Sequence, residues 1–475
     1  MGCWALGAGR LTVTAAVLAV LAAGCASTHT SKQHLVGIEN RLAGHEFAAA
    51  LAQIQAAKTT AYQEKDRILY YLDAGMLCHY NAHWGESNEL LTQAEYAIEE
   101  AYTRSVSKAA TSIMLNDNAL EYAGEDYENI YLNVFKAINF LQQGAFDPAF
   151  VEVRRISDKL NLLEDKYAKM ATEYNKSTRS SGTDKTFQPG QVRFHNSALA
   201  RYMSMLMYRT EGRRDDARID LEKAADAWGA AREVYPFPLP SFALALAPSP
   251  DAYAKLNVFG FYGRSPDKLA STLYIHTQPD SVTIMTTQQQ SAGKTEMTAL
   301  EVIPWGIGNV LPAGTTIKFQ MPYMKMRGSQ VGRAVLYLNG YAVTDLQPLE
   351  SIEAVARETF RIKEPLIFLK TITRVIGKTI VKAKAMEELK KHKDGQYVPG
   401  FLVDMAVAAT ENADLRVGQF FPAVAAISEV EVPVGEHRAT VVYFDKAGNR
   451  LYQDELGTVQ VRAGKLNLLQ SYYLN

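Results

Sequence analysis

Five of the chain's 17 prolines fall within fifteen residues: Pro236, Pro238, Pro240, Pro248 and Pro250. Proline lacks a backbone N–H and fixes φ, so neither a helix nor an inner strand runs through such a segment. The hydrophobic period changes across it. From His34 to Tyr235 apolar residues recur at three and four, the helical spacing. Beyond it they alternate, the strand spacing. The expected fold is therefore α+β and multidomain: a helical domain over 34–235, a Pro-rich linker over 236–254 and a β-rich domain over 255–475.

The helical half carries one repeated turn. Its copies begin at Gly44-His45-Glu46-Phe47, Gly85-Glu86-Ser87-Asn88, Gly144-Ala145-Phe146-Asp147 and Gly212-Arg213-Arg214-Asp215. They resemble the turn of a tetratricopeptide repeat (TPR), with glycine as the left-handed cap of the first helix and small residues where two helices approach. A lone hairpin cannot bury its apolar face, so the hairpins must stack. The copies lie 41, 59 and 68 residues apart, whereas a regular array repeats at about 34. An interrupted, TPR-like stack is expected, with a loop at Lys176–Asn196 around Gln188-Pro189-Gly190 and a groove suited to protein segments.

In the second half, strands are expected at Leu256–Tyr262, Leu273–His276, Val282–Met285, Thr316–Met321, Ala334–Leu338, Ala439–Phe444, Thr458–Val461 and Lys465–Leu469. Turns are expected at Leu311–Gly314, Val432–Gly435 and Asp445–Asn449. A β-sandwich-like domain follows, with a helical insertion over about 349–412. One helix begins at Leu349, and a longer one runs from Glu364 to His392. In the longer helix Leu369, Ile372, Val375, Ile376, Ile380 and Ala383 form an apolar stripe for packing on a sheet. Arg374, Lys378 and Lys382 form a basic face.

The net charge is −1, which gives no electrostatic footprint for nucleic acid. Of three cysteines, Cys3 and Cys25 lie at the N-terminus and Cys78 sits inside a helical pattern as apolar filler. No internal disulfide is expected. Residues Leu11–Gly24 are uncharged and follow Arg10. That run is shorter than the roughly 20 residues of a membrane-spanning helix. A basic start, a short apolar core and small residues at its end describe an export signal.

The end of that signal, Leu21-Ala22-Ala23-Gly24-Cys25, resembles a bacterial lipobox. The resemblance implies cleavage between Gly24 and Cys25, diacylglycerol on the Cys25 thiol and an acylated new N-terminus, with Ala22 standing where leucine is commonest. Residues 1–24 would then be a signal peptide and 25–33 a polar tether. Ala26 and Ser27 replace the aspartate that tends to retain such proteins in the inner membrane, which implies an outer-membrane anchor facing the periplasm.

A wider resemblance rests on Glu125-Asp126-Tyr127-Glu128 with Asn133, Ala137-Ile138-Asn139-Phe140-Leu141, and Glu152-Val153-Arg154-Arg155. It continues through Gly263-Arg264-Ser265-Pro266-Asp267-Lys268, Leu349–Ala354 and Asn412-Ala413-Asp414-Leu415-Arg416. These stretches are similar to motifs of a family of uncharacterised bacterial lipoproteins. The family's tryptophan after the last motif is replaced by Val417-Gly418. Membership implies a periplasm-facing lipoprotein.

No phosphate-binding loop or nucleophile elbow occurs. Gly306-Ile307-Gly308 lacks the third glycine of a dinucleotide loop. His79 and His83 are four apart but lack a third ligand and a zincin glutamate, so no metal is expected. Three acids opening a helix at residue 125 suit the helix dipole. As a group, Glu125, Asp126, Tyr127, Glu128 and Asn133 form a candidate interaction patch. The expected function is a non-enzymatic, lipid-anchored envelope scaffold. It has no catalytic residue and no cofactor beyond the lipid on Cys25. Its partners would be the membrane and an envelope protein of peptidoglycan synthesis or outer-membrane upkeep. The alternative is an envelope hydrolase or glycan-binding enzyme that uses Glu125, Asp126 and Glu128.

Overall fold

The computed structural model describes residues 32–107, 116–180, 186–289, 295–304, 313–391 and 412–475. The expected cleavage and lipidation residues Gly24 and Cys25 lie outside the described residues, as do Gly306 and Gly308.

The helical half pairs α1 (Ile38–Ala43) with α2 (Phe47–Ala57) and α3 (Arg67–Tyr80) with α4 (Trp84–Ser107). It also pairs α5 (Asp126–Gln142) with α6 (Phe146–Asn161) and α8 (Ala198–Thr210) with α9 (Arg214–Ala230); α7 (Leu163–Ser180) follows α6. Successive hairpins stack, α2 on α3, α4 on α5 and α6 on α8. Two of the four turns use glycine as expected: Gly144 and Gly212 have φ of 71° and 78°. The other two do not. His45 and Ala82 take the left-handed conformation, both at φ 57°, while Gly44 has φ −86° and Gly85 lies inside α4. A side chain there costs about 1–2 kcal/mol, which hairpin packing must offset. The close approach of α3 and α4 falls instead at Gly75, where an added Cβ would lie 2.8 Å from Leu91.

The strands build two sheets with separate cores, not the expected sandwich. The larger has seven strands in the order β10-β9-β6-β7-β8-β1-β11: β1 (Tyr253–Tyr262), β6 (Val331–Leu338), β7 (Tyr341–Ser351), β8 (Val424–Pro433), β9 (Gly435–Asp445), β10 (Arg450–Val461) and β11 (Asn467–Tyr473). Among the described residues its one parallel pair is β1 with β11. The sheet curls around its own apolar interior, to which Leu256, Leu336, Leu346, Val441 and Val461 contribute. Its opposite face, with Phe259, Phe261, Ile427 and Tyr472, packs into the core of the helical half. The smaller sheet is antiparallel, β4-β3-β2-β5, from β2 (Asp267–Thr277), β3 (Ser281–Gln289), β4 (Thr295–Pro304) and β5 (Thr316–Lys325).

The two expected helices of the insertion are one, α10 (Ile352–Lys391), with Pro365 inside it. Ile372, Val375 and Ile376 cover the small sheet, as the stripe predicts. Leu349 belongs to β7. Proline loosens the preceding turn, and there the Gly190 N–H donates to Ile362 O at 3.2 Å. A Cβ on Gly190 would meet Ile362 Cα at 3.2 Å, so the Gln188-Pro189-Gly190 loop docks closely on α10.

The Pro-rich segment is a packed strap, not a free spacer. Trp228 Nε1 donates to Phe237 O at 3.2 Å, Arg209 donates to Ala245 O at 2.6 Å, and Phe242 stacks on Tyr202. Both halves of the chain thus share one continuous core.

Gly260 on β1 marks a tight point of the larger sheet's own interior: a Cβ would lie 2.4 Å from Leu346 Cδ2. Gly260→Ala is expected to cost about 1–3 kcal/mol by overpacking. In urea unfolding, the double variant with Leu346→Ala should cost less than the sum of the two singles.

Candidate functional site: a buried polar seam and the cavity beside it

The stretch Asn412–Phe421 is neither helix nor strand, yet much of it is buried against the helical half. Buried backbone must find partners, and side chains of the helical half supply them. Asn118 Nδ2 donates to Asn412 O at 3.1 Å and Ala413 O at 2.9 Å. The Gly418 N–H donates to Glu128 Oε1 at 2.5 Å, and the Gln419 N–H to Asp73 Oδ1 at 2.8 Å. Tyr80 donates to Phe420 O at 2.7 Å. A Cβ at position 418 would stand 3.1 Å from Glu128 Oε1, so glycine is what lets the carboxylate reach the backbone.

Arg416 locks this seam. Its guanidinium meets Asp66 Oδ1 at 3.0 Å, Asp414 at 2.9 Å, Asp117 O at 2.8 Å and Leu120 O at 3.0 Å. Burial opposes both charges of the Arg416–Asp414 pair. Their mutual attraction prevails, holding Asp414 well below the carboxylate range and Arg416 above its usual value.

The expected interaction patch lies inside this network. Glu125, Asp126, Tyr127, Glu128 and Asn133 are all buried. Glu125 and Glu128 form a reciprocal capping box at the start of α5. Glu125 also pairs with Lys268 at 2.5 Å and with Lys363. Asp126 turns to Lys166 and Tyr167. Glu128 accepts from Tyr122 and the Glu125 N–H, each at 2.7 Å. The Tyr127 hydroxyl lies 3.5 Å from Ser265 Oγ. Asn133 bridges Glu95 and Glu152 at 3.0 and 2.5 Å, in a cluster with Lys136 and Lys159. Each acid therefore faces a different partner, because each closes a different junction of the fold.

Their electrostatics differ accordingly. Burial, then the charge of Glu125, pushes Glu128 up to about 7. Burial likewise pushes Asp73 up to about 7, against its hydrogen bonds from Gln419 and Tyr62. Burial would also raise Glu95, but Lys159 and Lys136 outweigh it and pull the group down to about 2. Glu350 at the end of β7 is raised by burial and ties the sheet to the helices through Tyr131 at 2.6 Å and Ser197 at 2.9 Å.

A cavity of about 470 Å³ opens beside the seam. One wall carries Tyr122, Glu125, Asp126, Lys268 and Arg416; α7 and α10 supply the other, including Lys166, Lys363, Leu366, Lys370 and Arg374. Burial disfavours charge on Lys363, but Glu125 and Asp126 overcome it and hold its pKa above the usual lysine value. Arg374, expected on a solvated basic face, is buried. Lys363, Lys370 and Arg374 follow helical spacing, the one sequence signal that placed them together. Lys268 and Asp73 carry no local sign of their partners; Arg416 has one, Asp414, two residues away.

The two histidines part company. His79 is fully buried, its ring nitrogens 2.6 Å from Asn139 Oδ1 and 2.8 Å from the Tyr472 hydroxyl; burial pushes it down to about 4. His83 is exposed and comes near Cys78 and Glu86 instead, with ligand atoms within 4.8 Å. Burial and Glu86 push the Cys78 thiol up to about 12, so this trio is not a prepared thiolate site.

The fold and site define an α+β protein in which helical hairpins and a curled sheet are joined by a buried ion-pair seam. No family model matches the chain, and no curated protein or solved structure matches it either.

Asp73 and Glu128 hold protons up to about pH 7 when folded, whereas unfolded carboxyls release them near pH 4. Folding therefore takes up protons between these values, and this part of the stability declines as pH rises from about 4 to 7. Glu95 acts oppositely: its contribution is full above about pH 4.5 and is lost as pH falls toward 2. From these three groups, urea unfolding should show greatest stability at about pH 4 to 4.5, falling on either side. Glu128→Gln and Asp73→Asn should each flatten the alkaline limb. Arg416→Leu leaves Asp66 and Asp414 buried without it and should cost about 3–5 kcal/mol.

Proposed function

We propose that this chain is a lipid-anchored scaffold of the bacterial envelope, held by acyl chains on Cys25 and without catalytic activity of its own. The anchor rests on the lipobox-like residues Leu21–Cys25. The observation that carries the scaffold reading over the hydrolase is the divergence of Glu125, Asp126 and Glu128 into separate ion pairs and helix caps. A glycosidase of the two-carboxylate kind needs both acids aimed at one bond; these three are engaged in holding the fold together.

On this reading the hairpins act as TPR-like repeats whose inner surface is already occupied by the chain's own Asn412–Phe421, so the envelope partner docks on an outer face. Lys32, seven residues after Cys25, pairs with Asp267 at 2.5 Å. A fully extended tether of seven residues spans roughly 25 Å. The face around Asp267 is thereby held close to the bilayer, which we take to be the outer membrane seen from the periplasm. A partner in peptidoglycan synthesis or outer-membrane upkeep would meet the opposite side.

Labelled palmitate should enter the wild-type protein and not Cys25→Ser, and the mature chain should begin at residue 25. Crosslinking of the intact lipoprotein in cells should capture the same envelope protein repeatedly and lose it in Cys25→Ser. A mature N-terminus elsewhere would refute the anchor. Hydrolysis of envelope glycan that Glu128→Gln abolishes would favour the enzyme.

A further inference from the structure

Seven cationic side chains and six carboxylates line the cavity beside Glu125, and three of the lysines there have hydrogen-bond donors left over. A lysine ammonium offers three N–H groups. Among hydrogen-bond acceptors of the described residues, Lys363 meets Glu125 alone and Lys166 meets Asp126 alone. Lys268 uses two of its three, on Glu125 at 2.5 Å and Arg416 O at 3.1 Å. The carboxylates between them are more fully engaged: Glu125 takes two lysines and the Glu128 N–H, and Asp126 takes Lys166 and Tyr167. At this end of the lining three ammonium groups face two carboxylates, and over the whole lining the cations exceed the carboxylates by one, seven to six.

The space suits a ligand. Sites for small molecules measure about 300–1,000 Å³ and favour the junction between structural units. This one measures about 470 Å³ and lies where the helical half meets α10 and the small sheet. Leu366, Ile367 and Met170 on its walls offer apolar surface for a carbon body.

We propose that this cavity binds a small organic anion, its carboxylate or phosphate seated among Lys166, Lys268 and Lys363 and its carbon body against Leu366 and Ile367. The oxyanion takes up the unused N–H groups, and charge-assisted hydrogen bonds of this kind are the strong ones. The site is independent of the lipid anchor and of any partner. It can fail while the scaffold reading stands, and the reverse.

The test is calorimetric titration of the intact lipoprotein in detergent micelles with three probes that share a sugar ring: glucose 6-phosphate, glucuronate and glucose. At least one anion is expected to bind, with glucose silent; which one binds identifies the oxyanion. Lys363→Gln should weaken that binding about tenfold or more, and Leu366→Trp should block it by filling the space while keeping every charge. Lys166→Gln gives a second charge variant should Lys363→Gln unfold, and Lys446→Gln, on the exposed β9–β10 turn, should change nothing. Absence of binding by both anions up to about 10 mM overturns the proposal. So does equal binding of glucose, or affinity for the anions that survives both Lys363→Gln and Leu366→Trp.

Discussion

The structure depends on the need of a buried, irregular stretch of backbone for hydrogen bonds. Residues 412–421 belong to no sheet, so no ladder satisfies their N–H and C=O groups. Leaving such groups unpaired costs about 1–3 kcal/mol each. The helical half answers with Asn118, Asp73, Tyr80 and Glu128. Those four side chains are themselves polar and buried, and tolerable inside only because the stretch is there. Each side thus makes the other affordable. The two halves behave as one body because their polar groups are complementary, as well as because they share an apolar core.

Buried ion pairs in the seam follow the same logic. Removing a charge from water costs several kcal/mol, which the attraction between partners often barely offsets. Arg416, Lys136 and Lys268 therefore add little net stability over well-packed apolar residues. What they supply is discrimination: an arrangement that separates Arg416 from both Asp66 and Asp414, or Lys136 from both Glu95 and Glu152, leaves the buried cation uncompensated by these acids. The pairs reject misaligned packings of the hairpins and of the 412–421 stretch far more strongly than they reward the right one.

Much of the architecture was legible in local pattern. Helical and strand periods switch at the prolines as the fold does, and eight expected strands lie where strands form. The missed strands have physical reasons. In β8, residues Ala425–Ser428 are buried on both faces, so alternation is absent where it was sought, and the strand ends on Pro433, which reads as a turn. The insertion reads as two helices, one from Leu349 and one from Glu364, but α10 runs unbroken through Pro365, and the nearby carbonyl of Ile362 meets Gly190 in another element. The polar site was half legible. Three acids at residue 125 suit the start of a helix, and α5 starts there; the capping box has Glu where Ser or Thr is usual, so the pattern does not announce it. Its lysine partners at 268 and 363 come from far along the chain, and no local pattern records them. That is why the acids read as a surface patch and prove to be interior.

Distance along the chain has a further consequence. Arg416 and Asp66 stand 350 residues apart, Tyr80 and Phe420 340, and Tyr472 and His79 393. Contacts between such remote positions form late, because the entropy of closing the long loop is spent before any contact rewards it. Until then the first-made helices carry Asp66, Asp73 and Glu128 without their counterparts. A chain that stops short of residue 418 leaves Asp73 and Glu128 without the Gln419 and Gly418 donors, so its helices are expected to be less stable than the same helices in the whole chain.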